Sequence, residues 1–230
     1  MITKDQLKKF TWIPLPYFEH AVPQHTKYNH FYKAPDGQVF KSVTTMIYKT
    51  APPSDGIAKW KARVGESVAN HINKESKENG TAAHEIFEKY LNNDTIPELA
   101  LLIRGHFWQM KPYLDRIDQV SATEIPLYSY EMRLAGMADC IAQYDGVDTL
   151  IDFKTSRSKK KEEWIENYFL QAAIYAKMWN DLTGNFINQM AILISCEDGK
   201  VQEFIRKPSD FWSLLDERLE KFEEIGGFES

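Results

Sequence analysis

The chain has 230 residues, 43% of them hydrophobic and 27% charged, which suits a single α/β-sized domain with a sizeable core. Its net charge of −5 argues against passive coating of nucleic acid, though a site built from carboxylates is itself acidic and a metal inverts its sign. Two cysteines, Cys140 and Cys196, are too few for a four-cysteine zinc site or an iron–sulfur cluster. No apolar run nears the roughly 20 residues that span a bilayer. The opening residues Met1–Asp5 resemble neither a signal peptide nor a transit peptide, so no membrane association and a cytoplasmic location are expected.

In chain order, residues 28–48 read as a hairpin and a capped turn that extend the core at its N-terminus. Tyr28 to Lys33 is β-prone, Pro35-Asp36-Gly37 turns, and Gln38 to Lys41 returns, with Ser42 or Thr44 placed to cap a short helix. Ala51 to Gly56 breaks the chain. Helical spacing runs over 57–78, and Gly80 either interrupts it or is absorbed before Ala82 to Leu91 continues. Residues 97–117 form another amphipathic helix, with Pro112 near its end. Val120 to Tyr130, Arg133 to Gln143 and residues 149–154 form a β-meander. Residues 162–182 are helical, with Trp164, Tyr168, Ala172, Tyr175 and Trp179 at helical spacing. Ile187 to Cys196 and Val201 to Ile205 are strands around a turn at Gly199. Pro208 to Ile225 closes as a helix that Ser209 can cap.

The residues that carry chemistry sit in the meander. Asp145-Gly146 is a two-residue hairpin signal, and folding back across it brings Asp139 close to Asp152. Lys154 lies two positions after Asp152 and so shares its side of the strand. Two buried carboxylates repel unless a cation sits between them, and hard oxygen ligands favour Mg²⁺ or Mn²⁺. A lysine beside such an ion can hold a water or offset charge growing on a phosphate.

Other residues allow two readings each. His84 and Glu88 share a helix face, as metal-site groups or as a surface pair. Glu124 lies in an apolar strand, facing either solvent or the same cation. Gln171 and Tyr175 share a face that can hold a phosphate or steady the lysine, or Tyr175 is simply core. Arg157, Lys159, Lys160 and Lys161 follow the Asp-x-Lys strand as a solvated loop or a phosphate-tracking patch. No phosphate-cradling P-loop, Gly-x-Ser-x-Gly elbow or His-Glu-x-x-His helix is present.

Four segments in order carry a resemblance. They are Gly80 to His84, Gly136 to Asp139, Asp152-Phe153-Lys154-Thr155-Ser156, and Gln171 to Tyr175. Together they resemble the PD-(D/E)xK nuclease superfamily and its RecB-like exonuclease branch. Ser42-Val43-Thr44 and Trp60-Lys61 add a likeness to the mitochondrial genome maintenance exonucleases and their phage relatives. The "PD" element departs from the pattern, reading Ala138-Asp139.

The resemblance implies a restriction-endonuclease-like α/β core, a mixed central sheet flanked by helices, within one nuclease domain. Its catalytic part would span 57–205. It implies metal-dependent hydrolysis of DNA, as an exonuclease on single strands or free ends, with an accessory recombination or replication protein as a possible partner. A phage-encoded member would work in the host cytoplasm. Asp139, Asp152, the Phe153 carbonyl and His84 would carry one or two Mg²⁺ or Mn²⁺ ions. Lys154 would orient water, with Glu124 and Glu88 in support. Gln171, Tyr175, Ser156 and the basic loop would meet the strand; Phe31, Tyr32 and Trp60 could stack bases, though core packing is the commoner fate of such residues. An endonuclease of the same fold, or a non-catalytic DNA-binding subunit, is the alternative.

Overall fold

The structure, a computed structural model, describes residues 7–25, 30–52 and 55–229. Three strands come first, β1 (Val22–His25), β2 (His30–Lys33) and β3 (Val39–Ser42), followed by helices α1 (Val43–Thr50), α2 (Asp55–Val64), α3 (Glu66–Leu91) and α4 (Leu101–Leu114). Strands β4 (Ile117–Ser129), β5 (Leu134–Tyr144) and β6 (Val147–Ser156) lead to helix α5 (Glu166–Thr183). Strands β7 (Gln189–Cys196) and β8 (Val201–Arg206) and helix α6 (Trp212–Glu224) complete the chain.

The expected meander is present, and its central turn follows from local chemistry. Asp145 and Gly146 both have positive φ, 52° and 79°. That pair of conformations lets a two-residue turn match the twist of its strands. The turn sets Tyr144 opposite Val147 and Cys140 opposite Ile151.

Among the described residues, the eight strands join one mixed sheet, ordered β1-β2-β3-β5-β6-β7-β8, with β4 paired to β5. β6 and β7 are parallel, and β7 is buried from Met190 to Cys196, as a strand covered on both faces must be. One edge of β5 is shared. From Cys140 to Tyr144 it pairs with β6, but at Leu134 and Ala135 it pairs with β3. Between those two pairings the sheet forks, and Asp139 and Asp152 stand where β5 and β6 part.

Helices cover both faces. Val43, Met46 and Ile47 of α1, Phe169 and Ile174 of α5 and Phe222 of α6 pack into one core. Phe87 and Tyr90 of α3 and Phe107 and Met110 of α4 pack with Cys140, Ile151 and Phe153 into a second. Both cysteines are buried. Among the described residues, no helix is long and apolar enough to cross a membrane.

Several boundaries differ from the sequence reading. β1 was not expected, and Tyr28, the expected start of the first strand, lies outside the described residues. The first long helix divides at Gly65, whose φ of 85° leaves the helical region, whereas Gly80 is absorbed inside α3. Ser42 rather than Thr44 caps α1, accepting the Thr45 N–H at 3.1 Å. Pro112 lies inside the end of α4, where its missing N–H costs one bond of the last turn. A short 3₁₀ turn, Pro208–Phe211, precedes α6; there the Asp210 carboxylate, not Ser209, accepts the Lys207 N–H at 3.3 Å.

Candidate active site

The fork leaves the edge of β6 open beyond Ile151, and Asp139 fills it. Its Oδ2 accepts the Phe153 N–H at 2.8 Å, replacing a ladder bond with a side-chain bond. A strand residue's N–H and C=O point to the same edge, so the Phe153 carbonyl also faces the fork. The Phe153 ring is turned the other way, into the core against Phe87. From α3, His84 brings Nδ1 to 3.5 Å from the same Asp139 oxygen.

Asp152 is 1% exposed. Lys154 closes over it, with Nζ 2.6 Å from Oδ1 and 2.5 Å from Oδ2. The hydrogen-bond geometry serves Oδ1 only, so Oδ2 is a buried oxygen with no aligned donor. Burial lifts the Asp152 carboxyl above the usual carboxylate range, and the Lys154 charge opposes the rise. For Lys154 itself, burial works against the charged form, but the Asp152 and Asp139 carboxylates outweigh it and hold the ammonium above its ordinary value.

Glu124 supplies a third carboxylate. It sits in β4 between the pairs Thr123–Cys140 and Ile125–Ala138, and so opposite Asp139. Its φ of 45° is left-handed, which costs energy in a non-glycine strand residue. Burial first, then the Asp139 and Glu88 carboxylates, push its carboxyl up to about 7. Donor atoms of His84, Glu124 and Asp139 lie within 4.8 Å of one another. They line a cleft of about 410 Å³ together with Gly80, Thr81 and Glu88. The stripe Gly80, His84, Glu88 repeats at four-residue spacing, one helix face turned to the cleft. Past Glu88 a second hollow of about 690 Å³ continues between Asn92, Thr123 and Trp12.

Two glycines let the elements close on this site. A Cβ on Gly136 would lie 2.5 Å from the Tyr175 Oη and 2.6 Å from its Cε1, so the Tyr175 ring of α5 packs directly on the β5 backbone. A Cβ on Gly80 would lie 3.3 Å from the Thr155 Oγ1, so α3 lies close against the end of β6. Those contacts tie the four sequence segments into one place.

The other expected residues divide. Tyr175 is 3% exposed; it holds Gly136 and receives the Gln171 Nε2 at 3.4 Å, so it packs rather than presenting its ring to a strand. Gln171 is half-buried. Ser156 donates to the Ser158 carbonyl at 2.6 Å and shapes the start of the basic loop. Arg157 is held by Glu75 of α3 at 3.0 Å. The Gln202 side chain clamps both the N–H and the C=O of Lys160, at 2.7 and 2.9 Å. Lys161 pairs with Glu163 at 3.5 Å, and Lys159 is exposed. Tyr32 is 6% exposed and belongs to the core, the commoner fate for such a residue, rather than standing free to stack bases. Phe31 and Trp60 are half-buried, Phe31 with the Lys41 ammonium 4.6 Å from its ring centre.

One residue read only as part of an apolar helix face belongs here. The Tyr168 ring lies under the Lys154 ammonium, 5.3 Å from Nζ to its centre. Its signal was positional: Tyr168, Gln171 and Tyr175 fall at i, i+3 and i+7 of one helix face.

The donor set suits a hard divalent cation. Carboxylate oxygens and one imidazole converge, and Asp152 Oδ2 lacks an aligned donor. The single Lys154 ammonium interacts with three carboxylates, those of Asp152, Asp139 and Glu124.

Fold and site together define an α/β protein with a mixed sheet flanked by helices, an acidic cleft at a fork in that sheet, and a buried Asp152–Lys154 pair beside it. No family model matches the chain. It is similar to human mitochondrial genome maintenance exonuclease 1, 28% identical over 204 residues. The match covers 81% of this chain and 59% of that protein, so the chain spans less than two thirds of its relative's length.

Proposed function

We propose that this protein is a divalent-metal-dependent DNA exonuclease built on a restriction-endonuclease-like core of the PD-(D/E)xK type. One observation carries the reading: Asp139 and Asp152 lie just past the last β5–β6 pair, Asp139 clustered with His84 and Glu124, and Asp152 buried under Lys154. The similarity to a named exonuclease supports it.

Asp139, Asp152, the Phe153 carbonyl and His84 would hold Mg²⁺ or Mn²⁺, with Glu124 alongside. A cation bound there would neutralise charge on a phosphate and lower the pKa of a bound water. Asp139 holds the Phe153 peptide in orientation and so fixes the carbonyl next to it. Lys154 Nζ, set by Asp152, would donate to the attacking water or to a phosphate oxygen as negative charge builds. Gln171, Ser156 and the lysines at 159–161 would follow the backbone of the strand, while Arg157 serves the loop's own structure through Glu75.

End-labelled linear and closed circular single-stranded DNA, each with Mg²⁺, Mn²⁺ or chelator, test the proposal. Linear DNA should be degraded from an end only when metal is present, and the circle should resist. Cutting of the circle at a similar rate would favour an endonuclease. Metal-independent binding without cutting would favour a non-catalytic subunit.

A further inference from the structure

Lys154 carries a charge into a place with little water. Its side chain is 19% exposed, and that of its partner Asp152 is 2% exposed. An ammonium has three donors and a flexible four-carbon stem, so a fixed direction needs more than one contact. Asp152 occupies one side of Nζ. Across the fork the carboxylates of Asp139 and Glu124 also attract it, and both appear among the charges that act on this group of side chains. Unrestrained, the lysine would be drawn towards the cleft that a cation is to occupy.

The Tyr168 ring sits on the α5 side, 5.3 Å from Nζ. This distance is within the range at which the negative face of an aromatic ring attracts a cation, and the attraction grows when water is excluded. Tyr168 packs against the core of that face, so the ring is held from behind.

We propose that Tyr168 is a positioning residue for Lys154: its ring face pins the ammonium on Asp152 and keeps it out of the cleft formed by His84, Glu124 and Asp139. The proposal rests on the catalytic reading of Lys154 for its consequence, but not for the contact itself. What acts is the ring face.

A double-mutant cycle between Tyr168 and Lys154 tests it, read in two ways. The first reading is chemical denaturation of the metal-free protein. Tyr168→Leu should destabilise the protein with Lys154 present and clearly less in a Lys154→Met background, whereas Tyr168→Phe should match the parent in both. The second is nuclease turnover with Mg²⁺. Tyr168→Leu should lower kcat roughly tenfold with KM little changed. Tyr168→Phe should restore the rate, and Tyr168→Leu should add no further loss to Lys154→Met.

Equal stability losses in the two Lys154 backgrounds would overturn the contact. A Tyr168→Phe variant as weak as Tyr168→Leu would overturn the role of the ring face. If Tyr168→Leu does not fold, Tyr168→Met takes its place in the same cycle. Coupling in denaturation with no nuclease activity in the parent protein would leave the positioning intact and reject the catalytic reading, so the two failures are distinct.

Discussion

Glu124 is the residue on which the electrostatics of the cleft turn. In the absence of metal its carboxyl is pushed up to about 7 from an ordinary value of 4.5, by burial and by Asp139 and Glu88. An acid whose folded pKa is raised takes up a proton on folding. Its stability contribution is therefore fully present below the unfolded pKa and is lost as pH rises through the folded one. The affected window runs from about 4.5 to about 7. Glu124→Gln keeps the neutral form at every pH. In chelator at pH 8 the variant should be more stable than the parent by about 1–2 kcal/mol, a figure discounted because part of the side chain meets solvent. At pH 4.5 the two should nearly coincide. Saturating Mn²⁺ should favour the parent, whose carboxylate is then a ligand. Denaturation curves at the two pH values decide it, and a difference that does not change with pH would remove Glu124 from the ionising group.

At the scale of elements, the site exists because α5 and α3 can press against strands at glycines. Gly136 is the sharper case, since a methyl group there meets Tyr175 atoms at 2.5, 2.6 and 2.9 Å. The ring is 3% exposed and has nowhere to retreat. Gly136→Ala should cost about 1–3 kcal/mol by overpacking. For a chain of this size that lowers the thermal midpoint by roughly 2–12 °C. A midpoint within a degree of the parent would mean that α5 does not bear on β5. This glycine entered the sequence reading only through the Gly136 to Asp139 segment of the resemblance, whereas the β5–β6 turn was legible by itself, because its Asp-Gly pair encodes its own φ angles. The fork was not legible. It depends on β3 taking the far end of the β5 edge, a pairing between segments some ninety residues apart with no local signature. The break at Gly65 was hidden for a similar reason: the helical spacing continues across it, and only the positive φ separates α2 from α3. The left-handed backbone of Glu124 and the Lys154–Tyr168 contact likewise have no local signature.

The whole molecule carries a net charge of −5, and its cleft adds to the repulsion a polyanion meets. The loop after β6 is a local exception, and the fold keeps it in shape. Gln202 of β8 clamps the Lys160 backbone, Glu75 of α3 holds Arg157, and the Lys161 ammonium lies 5.3 Å from the Trp164 ring centre. The loop thus presents Lys159 and Lys160 from a braced backbone, next to the strand that bears Asp152 and Lys154. Interactions of this kind are with phosphates, and their strength falls with salt as counterions are no longer released to advantage. Reversing the charge of Lys159 and Lys160 together leaves the Gln202 clamp in place, because it uses main-chain atoms of Lys160. The double variant should bind single-stranded DNA at least about tenfold more weakly at low salt. The slope of log affinity against log salt should flatten by about 1.4, which is about 0.7 for each single-strand phosphate that is no longer neutralised. Mn²⁺ binding measured by calorimetry should be unchanged, since neither lysine faces the cleft donors. An unaltered salt slope would show that the strand reaches the fork by another route, and would return the basic loop to a solvated connection between β6 and α5.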